Sequence, residues 1–275
     1  MTTDQWNIAI LDLDGYLRRI GYAGPVAPDL RTLQTLHRAH VASIPFENLD
    51  VMLGRGISVE LADVQAKLVD RRRGGYCYEH GVLFGAVLER IGFRVDRLLA
   101  RVGDPDERPR PRSHLVLGVD TGEGQWLADV GFGSGMLAPL PFAGAGVHRQ
   151  GAWQYQVVKG ADDMWRLRER TATTWSTRMA FSGEPQYLVD VDAANYNTST
   201  NPNSPFTQRV IVVQKSETRI RSLIGRKYSV ERPGEPNQER MVADEEVGEL
   251  LSREFGLSLT PAEVGALVDA PVVAR

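Results

Sequence analysis

Ten residues, Arg71 to His80 (RRRGGYCYEH), constrain this chain more than any others, because they set its only cysteine, Cys77, at the head of a long apolar stretch. Gly74 and Gly75 permit a sharp turn and a close approach of the backbone to a ligand. Val82 to Leu88 (VLFGAVL) then runs almost without a polar residue. A helix apolar on every side must be buried, and the spacing predicts one from Cys77 to Ile91, closed by Gly92. A thiol on the first turn of such a helix meets unpaired N–H groups and the positive end of the macrodipole, both of which favour thiolate. The dipole supplies roughly 0.3–1 kcal/mol, whereas one pKa unit is about 1.4 kcal/mol, so it cannot by itself ionise a thiol of pKa about 8.5. A nucleophile at this position needs a basic partner; without one, Cys77 is a small buried hydrophobe.

That partner must be one of five histidines: His37, His40, His80, His114 or His148. His114 interrupts an apolar strand pattern (SHLVLGV), so it faces either water or a site. Asp129 ends the next strand pattern and leads into Val130-Gly131-Phe132-Gly133. If the two strands pair through a turn at Thr121 to Gly124, the carboxylate falls near the imidazole and can orient it. His80 is the rival, three residues from Cys77 on the same helix, but its neighbourhood supplies no separate orienting carboxylate. His37 and His40 also lie three apart on one helix face; with no third ligand at useful spacing they read as structural, and no metal is expected.

Helices come first along the chain and strands second, an α+β pattern. Helices are expected over Asp12 to Ile20, Pro28 to Val41 (stopped by Ile44-Pro45), Val59 to Arg72, and the cysteine helix. Arg71 and Arg72 read as cations at a helix C-terminus, whereas Arg73, against the Gly-Gly turn, is expected to pair with a buried carboxylate such as Glu47 or Glu79. Beyond Gly92 the period changes. Arg94–Val102, Ser113–Val119, Trp126–Val130, Trp153–Val158, Met164–Glu169 and Thr174–Phe181 read as short strands of a mostly antiparallel sheet or barrel. The polar loop Gly103 to Arg112 forms a rim before His114. After about Asp190 the pattern mixes: Arg209–Gln214 reads as a strand, Asp244–Phe255 as an amphipathic helix, and Thr260-Pro261-Ala262-Glu263 as a capping-box helix start.

Charge and composition exclude some classes of partner. The net charge of −3, with 42% hydrophobic and 24% charged residues, gives no electrostatic reason to bind nucleic acid or a membrane. One cysteine forms no internal disulfide, and the first twenty residues carry Asp4, Asp12 and Asp14 without an apolar core, so a reducing, cytoplasmic setting is expected. Monomer and homo-oligomer are equally compatible with the sequence.

Several stretches, in order, resemble one family. RRRGGYCYEH resembles the RGGxCxE signature of the arylamine N-acetyltransferases; Ile44 to Asp50 (IPFENLD) looks like the motif that precedes it, and Leu127 to Gly133 (LADVGFG) like its aspartate segment. Tyr196 to Phe206 (YNTSTNPNSPF) is similar to a further family stretch. The resemblance implies a helical bundle (1–92), a central β-barrel carrying histidine and aspartate (93–190) and a C-terminal α/β lid (191–275). It also implies a papain-like catalytic triad of Cys77, His114 and Asp129. Gly81, where the family often has asparagine, and Asp104, where some relatives carry an aromatic, are departures.

By the same resemblance, acetyl-CoA is a co-substrate and no cofactor is permanently bound. Acetyl would pass from acetyl-CoA to Cys77 and on to an arylamine, arylhydrazine or N-hydroxyarylamine. Ser113, Phe132, Gly133 and Phe206 match positions that contact CoA, and Phe46, Val102, Phe132 and Phe206 match the acceptor pocket. A flat, weak nucleophile suits an activated acyl group in an apolar slot, and backbone N–H groups near Cys77 suit an oxyanion. Two other readings use the same three residues: an amide synthase moving a polyketide acyl chain to an aromatic amine, and a cysteine hydrolase of the papain or transglutaminase type.

Overall fold

Aspartates begin the first two helices. Asp12 Oδ1 accepts the Gly15 N–H at 2.8 Å to start α1 (Leu13–Arg19), and Asp29 Oδ1 accepts the Thr32 N–H at 2.8 Å to start α2 (Leu30–Ser43). The second helix therefore begins two residues later than the periodicity from Pro28 suggests, and it ends as expected at extended Ile44. A two-residue strand β1 (Phe46–Glu47) and a short helix α3 (Leu49–Met52) follow. The structure, a computed structural model, describes residues 4–142, 146–171 and 173–270.

The helix expected over Val59 to Arg72 is shorter and changes gauge. α4 (Leu61–Gln65) passes into a π-helical turn, Ala66–Asp70, closed by the Arg71 N–H to the Ala66 carbonyl. Arg72 then takes a left-handed φ of 54°, so neither Arg71 nor Arg72 lies within the helix. The cysteine helix α5 spans Cys77–Ile91, with Gly92 closing it at φ 113°, and every residue from Cys77 to Leu88 is buried. Its all-round apolarity has the expected consequence: it is the central rod of the larger hydrophobic core, with Leu33 and Leu36 of α2 and Leu98 and Leu115 of the strands in the same cluster.

Eight antiparallel strands follow: β2 (Arg94–Val102), β3 (Arg112–Asp120), β4 (Gln125–Ala128), β5 (Leu140–Pro141), β6 (His148–Gln150), β7 (Trp153–Lys159), β8 (Trp165–Arg170) and β9 (Trp175–Phe181). Their order is β5-β4-β3-β2-β9-β8-β7-β6, and β5 packs back on β7 to give a nearly closed barrel. β3 and β4 pair through the predicted turn, with Leu117 opposite Ala128 and Asp120 opposite Gln125. Val130, expected in the strand, lies outside the ladder because the chain turns at Asp129, whose Oδ1 accepts the Gly131 N–H at 3.0 Å.

Helices α6 (Leu188–Thr200) and α7 (Pro205–Gln208) lead to a second antiparallel sheet of β10 (Ile211–Lys215), β11 (Ile220–Ile224), β12 (Lys227–Glu231) and β13 (Gln238–Met241). Its far edge is β1, joined to β10 by Phe46 opposite Val213 and Glu47 opposite Val212. Helices α8 (Val247–Phe255) and α9 (Pro261–Asp269) pack Leu250, Leu251, Phe255 and Leu267 onto this sheet to form a second core. Thr260 caps α9 as the sequence predicts, accepting the Glu263 N–H. Among the described residues, no helix is long and apolar enough to cross a membrane.

Candidate active site

Two motifs far apart in sequence are sewn together beneath Cys77. The Glu47 N–H donates to the Gly75 carbonyl at 2.7 Å, the Gly75 N–H donates to Pro45, and Phe46 forms a parallel bridge with Gly75. A Cβ on Gly74 would stand 2.2 Å from the Pro45 oxygen, and one on Gly75 would stand 2.7 Å from Glu79 Oε2. The two glycines therefore serve a close approach of protein to protein; the sequence had suggested approach to a ligand.

Buried charges hold this junction. Arg73 donates to Glu47 Oε1 through Nη2 at 2.8 Å and Nε at 3.1 Å, and to Asp50 at 3.3 Å; Glu47 Oε2 accepts the Leu49 N–H at 2.7 Å. Of the two carboxylates the sequence offered Arg73, it takes Glu47. Glu79 goes to Lys67, whose Nζ lies 2.8 Å from it and 3.0 Å from Asp50. Glu79 also accepts the Tyr76 N–H at 3.0 Å, covering one of the orphan donors at the head of α5. Burial, opposed by Lys67, raises the Glu79 carboxyl to about 7.

Cys77, His114 and Asp129 converge from helix, strand and turn. His114 on β3 lies opposite Ala100 of β2, and its Nε2 is 2.8 Å from Asp129 Oδ2. The Cys77 side chain lies beside the same ring, and with Nε2 taken by the carboxylate, Nδ1 is the nitrogen left to serve the sulfur. The thiol also lies 3.8 Å from the Ser113 carbonyl oxygen, so its surroundings are polar as well as packed. All three side chains are at most 3% exposed. Burial depresses the His114 pKa, but the Asp129 charge and hydrogen bond, with the Cys77 contact, outweigh it and raise the ring to about 10. A charged imidazole beside sulfur is the partner that the helix dipole alone could not replace.

His80 is committed elsewhere. Its Nε2 faces the carbonyls of Gly75 at 3.0 Å and Pro45 at 3.3 Å and must donate to them, so its Nδ1 accepts from His40 Nε2 at 2.8 Å. His40 Nδ1 then accepts from the Tyr16 hydroxyl at 2.9 Å, and each proton in the row has one place to go. His37 Nδ1 donates to the Leu137 carbonyl, and its Nε2 accepts the Asp129 N–H, both at 3.1 Å. Nothing in the sequence signalled this last contact, whose partners are 92 residues apart. Among the described residues no group of three or more His, Cys, Asp or Glu side chains is arranged to hold a metal.

Aromatic rings gather beside the three residues. Phe132 stands edge-on to the His114 ring with centroids 5.1 Å apart, and Phe206 lies 5.9 Å from Phe46 and 5.7 Å from Tyr76. Gly133, at φ +76°, has room for no side chain, since a Cβ would come within 3.0 Å of Phe46. Val102, two residues beyond Ala100 and past a register shift, is half-buried opposite Met179 of β9. Sequence reasoning missed Asn48, a buried amide that fastens the Phe206 segment. It donates to the Phe206 and Arg209 carbonyls at 2.8 Å each and accepts the Ile211 N–H at 2.7 Å. The two departures are also accounted for: Gly81 abuts Leu115, whose Cδ2 lies 2.6 Å from where a Cβ would be, and Asp104 accepts from Thr177 at 2.8 Å.

Known proteins share this arrangement of chain. A family model described as N-acetyltransferase matches residues 29–264. The arylamine N-acetyltransferase of Mycolicibacterium smegmatis is 38% identical over 260 residues, covering 90% of this chain and 93% of its own. The solved structure of the Mycobacterium abscessus arylamine N-acetyltransferase superposes with a TM-score of 0.93 at 37% identity, covering 98% of each chain. That of the Mycobacterium marinum enzyme in complex with CoA gives 0.87 at 32% identity, over 94% of this chain and 98% of that one. With a family model matched over residues 29–264, and with a relative and a solved structure matched over 90% and 98% of its length, this chain belongs to the arylamine N-acetyltransferase family.

Proposed function

We propose that this protein transfers acetyl from acetyl-CoA to aromatic amines, hydrazines or N-hydroxyarylamines in two half-reactions through a thioester on Cys77. The observation that carries the reading is one buried imidazole hydrogen-bonded to a carboxylate, with the sole cysteine beside it. In the first half-reaction the Cys77 sulfur attacks the acetyl carbonyl, the bond from that carbon to the CoA sulfur breaks, and the departing thiolate takes the proton of His114. In the second, the amine nitrogen attacks the Cys77 thioester, His114 takes the proton that nitrogen sheds, and the sulfur leaves as thiolate. Asp129 holds the ring in orientation while it is neutral between the two steps and stabilises its charge once the proton returns.

Phe46, Phe132 and Phe206 supply an apolar wall for a flat acceptor, and Val102 is assigned to the same wall. A cavity of about 660 Å³ opens from Ser134 and Val213 between the barrel and the second sheet, lined by Arg170, Arg178 and Arg232 and also by Glu169, Glu231 and Glu235. It has the volume for a nucleotide thiol and begins one residue beyond Gly133, so Ser113, Phe132, Gly133 and Phe206 are assigned to the inner arm of CoA. Mass spectrometry after incubation with acetyl-CoA alone tests the scheme. One acetyl group on Cys77, absent from a folded His114→Ala variant and discharged by an arylamine, is the expected result. An unmodified Cys77, or discharge to water as fast as to amine, refutes transfer.

A further inference from the structure

We infer that His37 is a positioning residue for the catalytic aspartate, a rigid neutral spacer that fixes both ends of the loop from Asp129 to Leu137. The inference rests on the triad assigned above. The chain leaves the barrel ladder at Ala128, so the Asp129 N–H has no strand partner, and the His37 ring from α2 supplies the acceptor at 3.1 Å. The opposite ring nitrogen donates to the Leu137 carbonyl at 3.1 Å. Two nitrogens at fixed separation on one planar ring therefore set the distance between the loop's two ends.

Asp129 is left with little freedom of movement. Its N–H goes to His37, its Oδ1 takes the Gly131 N–H at 3.0 Å, and its Oδ2 meets His114 at 2.8 Å. Gly131 in turn presses on the cysteine, since a Cβ there would come within 2.9 Å of Cys77 Cα. A shift of the Asp129 backbone would thus move the carboxylate and the segment against Cys77 together. The same loop carries Phe132 and Gly133. Only the neutral tautomer with its proton on Nδ1 can act as this spacer, because a cation would set a ring N–H against the Asp129 N–H. Around the ring stand the Asp129 carboxylate, the His40 ring and the Phe84 face, with His37 and Phe84 centroids 5.8 Å apart.

Two measurements decide it, and neither needs acetyl-CoA. In the intact protein labelled at histidine nitrogens, long-range proton–nitrogen spectra are expected to show His37 as a neutral Nδ1–H ring at neutral pH. His40 and His80 are expected as Nε2–H rings. Finding His37 as the other tautomer, or charged, overturns the inference whether or not any variant folds. In His37→Phe, which keeps the ring volume, the rate of Cys77 alkylation at neutral pH is expected to fall on the order of 10-fold or more. The His114 ring signals move, and the pH profile of alkylation shifts toward that of an ordinary thiol. Leu33→Ala, a cavity in the same helix, is expected to lower stability and leave both readouts in place. A folded His37→Phe that alkylates like wild type, or an equal loss in Leu33→Ala, refutes the positioning role. Failure of acetyl transfer in the wild-type protein would refute only the function proposed above.

Discussion

Acidification is expected to unfold this protein steeply, through three histidines buried without charge. Burial lowers His37 and His80 to about 4 and His40 well below its ordinary value. The geometry contributes: a proton added to His80 Nδ1 would face the His40 Nε2–H, and one added to His40 Nδ1 would force the Tyr16 hydroxyl to turn from donor to acceptor. Between about pH 6.5 and 4 the unfolded chain binds protons on these rings that the folded chain does not, so stability is lost as pH falls. Glu79 opposes this. Its carboxyl, raised by burial to about 7, holds a proton in the folded chain that the unfolded chain releases above about 4.5. Three protons less one leave two, a slope of about 2.7 kcal/mol per pH unit at its steepest. Urea unfolding followed by circular dichroism is expected to show a loss of about 2 to 3 kcal/mol from about pH 6 to about pH 5, a large part of the stability of an ordinary domain. On the alkaline side His114, raised to about 10 by Asp129 against the cost of burial, loses its contribution as pH rises from about 7. Lys215, lowered by burial to about 8, offsets that loss above about pH 8. Stability should therefore peak near neutrality. A flat profile, or one that rises between about pH 6.5 and 5, would refute the assignment of neutral buried rings.

Asp129→Asn should preserve the fold and lower the acetylation rate of Cys77 by on the order of 10³- to 10⁴-fold, because the amide cannot hold the imidazolium; stopped-flow measurement of CoA release checks it. Arg73→Met leaves Glu47, which is fully buried, without its ion partner and should cost about 3–5 kcal/mol in urea unfolding. Gly81→Ala drives a methyl to within 2.6 Å of Leu115 Cδ2 and should cost about 1–3 kcal/mol. Combining it with Leu115→Ala should recover part of that cost, whereas strictly additive losses would count against the clash.

Much of the site was legible in the sequence because its signals are local. The cysteine helix keeps its predicted bounds, Cys77 to Ile91, since an unbroken apolar run followed by a left-handed glycine leaves the backbone few alternatives. The turn at Thr121 to Gly124 set the β3–β4 register, and with it the approach of His114 to Asp129. Helix α6 was not read as a helix, because its polar residues follow no helical period and it buries only Val191, Asn195 and Thr198. The strands β11 to β13 gave no clear alternation either.

What the sequence by itself determined is the chemistry present and the local frames that carry it: one thiol at a helix start, one imidazole and one carboxylate at the ends of neighbouring strand patterns. Only the tertiary structure decided which distant groups meet. β1 pairs with a strand more than 150 residues later, Arg73 takes Glu47 while Glu79 takes Lys67, and His37 reaches the Asp129 backbone across 92 residues. The physical reason is that helix and turn preferences are set within a few residues along the chain. A hydrogen bond between distant residues depends on the whole core closing around it, and leaves no periodic mark on either partner's surroundings.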